Sequence, residues 1–429
     1  MTYTPLSTMR ERIASSEGTA FLTSLYGEEE LALQRTRYLA ALDAFEGRFG
    51  ARDVLLLSAP GRTELSGNHT DHQHGRVLAA SLRVDTLCVA AKREDYHVNL
   101  VSEGHRDTVL DLEDLTPEEK EYGRSTALVR GMAAGISPYG IPLTGFDAYT
   151  TSRVPSGGGF SSSAAFEVLL GTLFCALGDD SLPPMEIAKL GQMAENIWFG
   201  KPCGLMDQCA CALGGVSALD FTDPANPVAQ SIPFDFGEYG YALCAVSVGS
   251  SHADLTADYA AIPGEMGMVA QEFGMKVLRF VEREEFEARL PELTKKLPPR
   301  AILRAKHYFD ENERVPRMVE ALQKGDLETY RREMMASGES SYHQLQNIVP
   351  DSKPDELSLA KALEKSAELL GDKGAWRVHG GGFGGSMQAL MPTELFEDYR
   401  REMDALFGDG ATRLLRVRSC GAVIFDSRS

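Results

Sequence analysis

A run of three glycines and three serines is the segment of the sequence best suited to hold a phosphate group. Residues 155–165 read PSGGGFSSSAA, and an apolar stretch of helical length follows directly. Glycine lets backbone N–H groups turn toward an anion, and the first amides of a helix have no intrahelical partner. A serine hydroxyl is in addition a known ligand type for Mg²⁺. We therefore predict a nucleotide-phosphate site here, with a plain linker before a capped helix as the alternative.

A second glycine-rich segment lies near the end of the chain. Residues 379–386 read HGGGFGGS, and so many glycines cost chain entropy that a simple turn would not need. The first segment is neither a P-loop nor a dinucleotide fingerprint, because its Gly-Lys-Ser/Thr ending and its G-x-G-x-x-G spacing are both missing. Around this second segment we expect a strand, the glycine loop and then a helix across residues 376–391.

Two polar segments could supply the remaining chemistry. Residues 61–73, GRTELSGNHTDHQ, follow a predicted buried strand at residues 53–59 that we expect to end at Pro60-Gly61. Their closely spaced donors and acceptors suit a polyol; the histidine spacing could also suit a metal, but no second cluster of ligands accompanies it. Glu195 and the segment GLMDQ at residues 204–208 place acids in an apolar context, where the fold must bring a partner. A capped helix end is the alternative for the second segment.

The elements that must position these residues alternate between helical and extended patterns. A turn-rich stretch at residues 222–235 suggests a domain boundary, which divides the chain into residues 1–225 and 226–429. We therefore predict an α+β (α/β mixed) protein of two lobes. The segments expected to be helical are 28–49, 126–134, 164–177, 184–198 and much of 265–345, and those expected to be extended are 77–92, 141–151, 216–221, 241–248 and a terminal pair within 413–425.

Composition excludes several classes of partner. The net charge of −19 argues against nucleic acid and anionic membranes, which reward a basic surface. No stretch is long and apolar enough to cross a membrane, and the first residues lack the apolar core of a secretion signal. Seven cysteines without a framework spacing indicate reduced thiols, so we expect a cytoplasmic protein. A polyanionic nucleotide would have to be held locally, by amides, Mg²⁺ and a few cations.

The motifs together resemble those of the galactokinase family, among the GHMP small-molecule kinases. The segment at 61–72 resembles G-R-x-N-L-I-G-E-H-T-D-Y, residues 155–164 resemble P-x-G-G-G-L-S-S-S-A, and PCGLMDQ at 202–208 resembles P-C-G-I-M-D-Q. The resemblance runs from about residue 53 to the C-terminus, so the first 25 residues or so look like an extra segment. It implies an N-terminal lobe like ribosomal protein S5 domain 2 and a ferredoxin-like C-terminal lobe.

The resemblance also implies a reaction and the residues that perform it. Mg²⁺ and ATP would phosphorylate the anomeric C1 hydroxyl of galactose. Asp207 corresponds to the catalytic aspartate and Arg62 to the arginine that faces it. Glu195 and Ser162 correspond to residues near Mg²⁺. The other implied contacts are those of Gly157, Gly159, Ser161 and Ser162 with ATP, and those of Asn68, His69, Asp71, Gly204 and Tyr259 with the sugar.

Several positions depart from the family pattern. Asn68 stands where the family has a glutamate that bonds the sugar's C6 hydroxyl, while Glu64 and Ser66 replace an Asn and an Ile. Asn can donate to a carboxylate, and Asp71-His72-Gln73 resembles plant galacturonate kinases, so galacturonate is an alternative substrate. A sensor that binds ATP and galactose without turnover is a second alternative. We expect small-molecule partners only and a monomer or weak homodimer.

Overall fold

The computed structural model describes residues 3–155, 159–249 and 255–426, and within these ranges the strands form two sheets. The strands are β1 (Thr4–Pro5), β2 (Asp53–Ser66), β3 (Arg76–Lys92), β4 (His97–Ser102), β5 (Thr108–Asp111), β6 (Phe146–Ser152), β7 (Val216–Asp220), β8 (Val228–Ile232), β9 (Tyr241–Ser247), β10 (Ala375–His379), β11 (Ser386–Pro392), β12 (Thr412–Leu414) and β13 (Val423–Ile424).

The helices lie on both faces of the larger sheet and around the smaller one. They are α1 (Leu6–Ala14), α2 (Ser16–Tyr26), α3 (Leu31–Phe49), α4 (Ser125–Ile136), α5 (Ser162–Leu177), α6 (Pro184–Met193), α7 (Met206–Leu213), α8 (Thr256–Gln271), α9 (Arg283–Lys296), α10 (Pro299–Lys324), α11 (Leu327–Ser340), α12 (Ser358–Leu370) and α13 (Phe396–Phe407). Two π-helical turns, Ala194–Trp198 and Ser341–Leu345, extend α6 and α11.

The larger sheet runs in the order β1-β2-β3-β6-β4-β5, with β13 paired to β2, β7 to β3 and β8 to β7. All its pairs are antiparallel except β4 with β6. The expectation that the first strand ends at Pro60-Gly61 is wrong, because β2 continues to Ser66 after a register shift between Pro60 and Arg62. An irregularity of this kind accommodates a proline that cannot donate to the ladder. Arg62 therefore lies on a strand, opposite Ser81.

Both faces of the larger sheet are covered. On one face α4 to α7 build the main core, with fully buried side chains such as Val129, Leu169 and Phe174. On the other face α1 to α3 form a second core in which Tyr38 and Phe45 pack with residues of β2 and β3. The first residues of the chain thus belong to this second core, since α1 and α2 contribute buried apolar side chains to it.

The smaller sheet has the order β10-β11-β9-β12 and is antiparallel throughout. The helix expected after the C-terminal glycines is wrong: residues 386–392 form β11, whose side chains are almost all buried. A short apolar run buried on both faces lacks the alternation that identifies a strand. The terminal strand pair is wrong as well, because β12 joins β9 and β13 joins β2.

The prediction of a mixed α+β fold is confirmed by these helices and sheets. The boundary at residues 225 and 226 stays a prediction. The turn-rich stretch at residues 222–235 also contains β8, which pairs with β7. Within the described ranges, no helix combines the length and apolar character needed to cross a membrane.

Candidate active site

Arg62 and Asp207 form the centre of the site. Arg62 lies on β2 just after the register shift, and Asp207 lies in the first turn of α7. The guanidinium donates from Nε to Asp207 Oδ1 at 2.7 Å and from Nη2 to Oδ2 at 2.6 Å, and its Nη1 donates to the carbonyl of Gly159. This bidentate pair fixes the carboxylate plane. The Asp207 side chain is 30% exposed, so a ligand can still reach it, whereas that of Arg62 is 6% exposed.

Asp207 is held in its charged form. Burial alone would raise its pKa, but the charge and hydrogen bonds of Arg62 and a hydrogen bond from Ser161 outweigh that effect and lower the pKa below its usual value. Asp207 is therefore a carboxylate at neutral pH, able to accept a hydrogen bond from a hydroxyl group and only a weak base.

The described end of the glycine-serine loop (residues 155–163), from Gly159 to Ser163, lies against this pair. Gly157 lies outside the described residues. Ser161 has φ +55°, a left-handed conformation uncommon for serine, and from it the hydroxyl donates to Asp207 Oδ2. Ser162 begins α5, so the amides at the start of that helix open toward the same place. A Cβ added at Gly159 would lie 3.0 Å from His379 Nδ1, which shows how closely the two glycine-rich segments approach.

Glu195 lies beside the start of α5, on the π-helical turn after α6. Its Oε1 accepts from Ser163 Oγ at 3.1 Å and from Lys201 Nζ at 3.3 Å, and its Oε2 accepts from Gln208 Nε2 at 2.9 Å. π turns occur frequently at functional sites because they displace one side chain from the helical register. The turn thus brings a carboxylate, a hydroxyl and an ammonium group to the edge of the glycine-serine loop.

A second carboxylate, Glu167, lies behind Glu195 and is fully buried. The same Gln208 Nε2 donates to its Oε2 at 2.9 Å. Burial and the nearby charge of Glu195 raise its pKa well above the usual value. The raised pKa favours the protonated form of Glu167, while Glu195 is the carboxyl group in contact with Lys201.

The donor set near Glu195 fits Mg²⁺. This ion prefers oxygen ligands and binds proteins through one or two carboxylates while substrate phosphates and waters complete its shell. Glu195 offers the carboxylate, and the serines that begin α5 offer hydroxyls. Among the described contacts it is Ser163, rather than the predicted Ser162, whose hydroxyl meets Glu195.

The polar loop (residues 67–74) carries most of the predicted sugar contacts. Gly204 packs against Asp71 so closely that a Cβ there would lie 1.7 Å from Asp71 Oδ2. His69 donates from Nε2 to the carbonyl of Gly381 at 2.9 Å, and burial lowers its pKa to about 3, so the ring is neutral. Tyr259 donates to the carbonyl of Gly382 at 2.9 Å. The polar loop and the C-terminal glycine loop (residues 379–386) thus lie against each other.

Asn68 lies deeper than the other members of the polar loop, with no exposed surface. Its partners are protein groups, and it stands next to a buried ion pair between Glu64 and Arg377. Sequence reasoning missed several residues of this site, because their partners come from elements far apart along the chain. These residues are Ser163, Glu167, Lys201, Ser341, Asn347 and Arg377.

The fold is that of a GHMP kinase. The model of the GHMP kinases N terminal domain matches residues 127–215, and that of the galactokinase galactose-binding signature matches residues 43–92. A Lactococcus lactis galactokinase solved with galactose has the same fold, with a TM-score of 0.78 at 24% identity over 90% of this chain and 99% of that chain. The mevalonate kinase of Methanococcus jannaschii aligns with a TM-score of 0.60 at 16% identity over 85% and 98%.

Curated relatives narrow the class further. The chain is 32% identical to a galactokinase of Glaesserella parasuis over 361 residues, which are 83% of this chain and 90% of the relative. It is 31% identical to a galactokinase of Mannheimia succiniciproducens, over 83% of this chain and 90% of the relative. The chain belongs to the galactokinase family of the GHMP kinases.

Proposed function

We propose that the chain transfers the γ-phosphoryl group of ATP to the anomeric C1 hydroxyl of galactose, giving galactose 1-phosphate and ADP. The observation that carries this proposal is the bidentate Arg62–Asp207 pair beneath the glycine-serine loop. Its partly exposed carboxylate is the acceptor a sugar hydroxyl needs, and its guanidinium lies where transferred phosphate charge would need a cation.

Asp207 and Arg62 have different roles in the proposed reaction. Asp207 accepts the hydrogen bond of the C1 hydroxyl and orients its oxygen toward phosphorus. That oxygen then bonds to the γ-phosphorus as the bond to the β,γ-bridging oxygen breaks, and the hydroxyl proton passes toward Asp207. Because Arg62 lowers the pKa of Asp207, the proton transfers late, and positioning and charge stabilisation provide most of the rate.

We propose that the glycine-serine loop holds the ATP phosphates, with Gly157, Gly159, Ser161 and Ser162 as contacts. Glu195 and a serine hydroxyl at the start of α5 would hold Mg²⁺, which when bound neutralises phosphate charge. Arg62 and Lys201 are local cations that would offset the charge of a nucleotide in a chain whose net charge is −19. Asp71, Gly204, His69 and Tyr259 line the proposed sugar side.

We also propose a reducing, cytoplasmic setting. All seven cysteines are free thiols, and most of them are buried. Such thiols persist where glutathione and thioredoxin keep cysteine reduced.

The experiment is a coupled assay of ADP release by the purified chain with Mg²⁺ and ATP. We expect release to require galactose, and the product to show phosphorus coupling to the anomeric proton by NMR. A chain that binds both ligands in calorimetry but releases no ADP would be a sensor and would refute the proposal. Phosphate on any carbon other than C1 would refute the assigned reaction.

A further inference from the structure

The amide of Asn68 is fully occupied by protein partners. Its Nδ2 donates to the carbonyl of Gly380 at 2.6 Å and to the carboxylate of Glu64 at 3.1 and 3.2 Å. Its Oδ1 accepts from Asn347 Nδ2 at 3.0 Å and from Ser341 Oγ at 3.5 Å. A primary amide has two donors and two acceptor sites, so the hydrogen-bonding capacity of Asn68 is used.

This occupancy bears on the C6 group of the sugar. The argument for galacturonate needed an Asn68 N–H to donate to a C6 carboxylate. Both N–H groups point instead at buried acceptors, and turning either away would leave an acceptor without a partner in a fully buried place. The structure therefore gives Asn68 no free donor for a uronate.

Glu64 explains why an asparagine stands at position 68. Glu64 is 2% exposed, and its carboxylate pairs with Arg377, which is fully buried. The family motif has Asn and Glu at the positions of Glu64 and Asn68, so the two residue types are exchanged here. Since the two side chains bond each other, the exchange keeps one carboxylate and one amide in the same contact.

The pair also joins three segments that surround the site. Through Asn68 the polar loop is tied to Gly380 of the C-terminal glycine loop. Asn347 donates both to Asn68 and to the carbonyl of Gly381, at 3.0 and 3.2 Å, and Ser341 belongs to the π-helical turn after α11. The loop that carries His69 and Asp71 is therefore held by its neighbour Asn68.

We propose that Glu64 and Asn68 are a reciprocally exchanged pair that positions the polar loop against the C-terminal glycine loop, and that Asn68 does not read the C6 group of the substrate. The proposal rests on the proposed function, because it concerns the same sugar site. It makes Asn68 a positioning residue, and it assigns sugar selectivity to other side chains.

The test is a cycle of Glu64→Asn, Asn68→Glu and the double exchange. Asn68→Glu sets a second carboxylate against Glu64, whose ion pair in the described structure is with Arg377, and Glu64→Asn leaves Arg377 without this carboxylate partner. We expect each single variant to lower Tm and to lower kcat/KM for galactose by about tenfold or more, and the double exchange to recover most of both. A double exchange no better than the worse single variant would overturn the pairing.

A second variant tests selectivity where a single exchange fails to fold. Asn68→Ala is assayed with galactose and with 6-deoxygalactose, which lacks the C6 hydroxyl, and galacturonate is measured as an inhibitor. We expect kcat/KM for both substrates to fall by the same factor. The inhibition constant of galacturonate should change by no more than the factor by which kcat/KM for galactose falls. Loss confined to galactose, or a selective loss of galacturonate binding, would overturn the proposal.

A matched control is Ser366→Ala, which removes another buried hydrogen bond, the 2.7 Å contact between the hydroxyl groups of Ser366 and Tyr399, without touching the pair or the polar loop. We expect it to lower Tm slightly. It should leave kcat and KM for galactose unchanged, and likewise the ratio of kcat/KM between galactose and 6-deoxygalactose. The Tm part of the cycle needs no activity. An unmutated chain without galactose-dependent ADP release would therefore refute the proposed function, while the recovery of Tm would still decide whether the two residues are a pair.

Discussion

Asp207 and Asn68 are both polar residues predicted to touch the sugar, yet the fold leaves the Asp207 side chain partly exposed and buries Asn68 completely. Asp207 is fixed by Arg62 and Ser161 but keeps a 30% exposed side chain. Asn68 has no exposed surface, and protein groups fill its hydrogen-bonding capacity. A carboxylate with remaining acceptor capacity can meet a reacting hydroxyl, whereas a saturated amide can only hold other groups in position.

The same distinction separates the two glutamates bonded to Gln208. Glu195 faces Ser163 and Lys201, while Glu167 lies behind it with burial and a neighbouring carboxylate raising its pKa. Residue type alone would assign both the same role. What distinguishes them is their contacts: Glu195 contacts Lys201 and Ser163, whereas the described hydrogen bond of Glu167 is to Gln208.

The largest expected effect is that of Asp207→Asn. The change removes the charged acceptor for the sugar hydroxyl and the counter-charge of Arg62, so we expect kcat to fall by roughly 10²–10⁴-fold. ATP binding, measured by calorimetry, should persist because the glycine-serine loop is intact. A turnover within about tenfold of the unmutated chain would remove Asp207 from the reaction.

Next in size is the contrast between Glu195→Gln and Glu167→Gln. We expect Glu195→Gln to lower activity by about 10–100-fold and to raise the Mg²⁺ concentration needed for half-maximal rate. Glu167→Gln keeps an oxygen for Gln208 and loses no charge, so its activity should stay close to that of the unmutated chain. Equal losses in the two variants would contradict the assignment of the Mg²⁺ contact to Glu195 rather than to Glu167.

The pH dependence of stability sharpens the same contrast. Because the folded pKa of Glu167 is raised, the folded chain keeps a proton that the unfolded chain releases above a pKa of about 4.3. The favourable contribution of the Glu167 proton to the free energy of unfolding is complete below that pH. It is lost as pH rises toward the folded pKa. We expect the Tm of Glu167→Gln relative to the unmutated chain to increase between pH 5 and 8. The exposed Glu364→Gln is the control, with no such trend expected.

How far the sequence could predict these features depended on the range of the interactions. The sequence predicts the glycine-serine loop, Arg62 and Asp207 as site residues because each stands in a short motif with its own chemistry. The role of Glu64 could not be derived, since its partner Arg377 lies more than 300 positions away. Lys201 carried no signal either, because its importance comes from a π turn that brings Glu195 toward it.

The secondary-structure elements show the same limit of sequence-based prediction. Strand β2 continues past Pro60-Gly61 because β3 remains paired beyond the register shift, an outcome that local turn preference does not predict. The sequence predicts a helix at β11 because both faces of this strand are buried, so its residues lack the alternation of a half-buried strand. In both cases a neighbouring strand outweighed the local preference of the residues.

The smallest predicted effect separates two adjacent serines. Ser162 is the position implied by family resemblance for Mg²⁺, but Ser163 is the serine that donates to Glu195 at 3.1 Å. If that contact marks the metal side, Ser163→Ala should raise the Mg²⁺ concentration for half-maximal rate more than Ser162→Ala does. Loss of one neutral hydrogen bond, about 0.5–1.5 kcal/mol, corresponds to a change of about 2–13-fold. A larger rise in this Mg²⁺ concentration for Ser162→Ala than for Ser163→Ala would assign the metal contact to Ser162. Ser163 would then only hydrogen-bond to the Glu195 side chain.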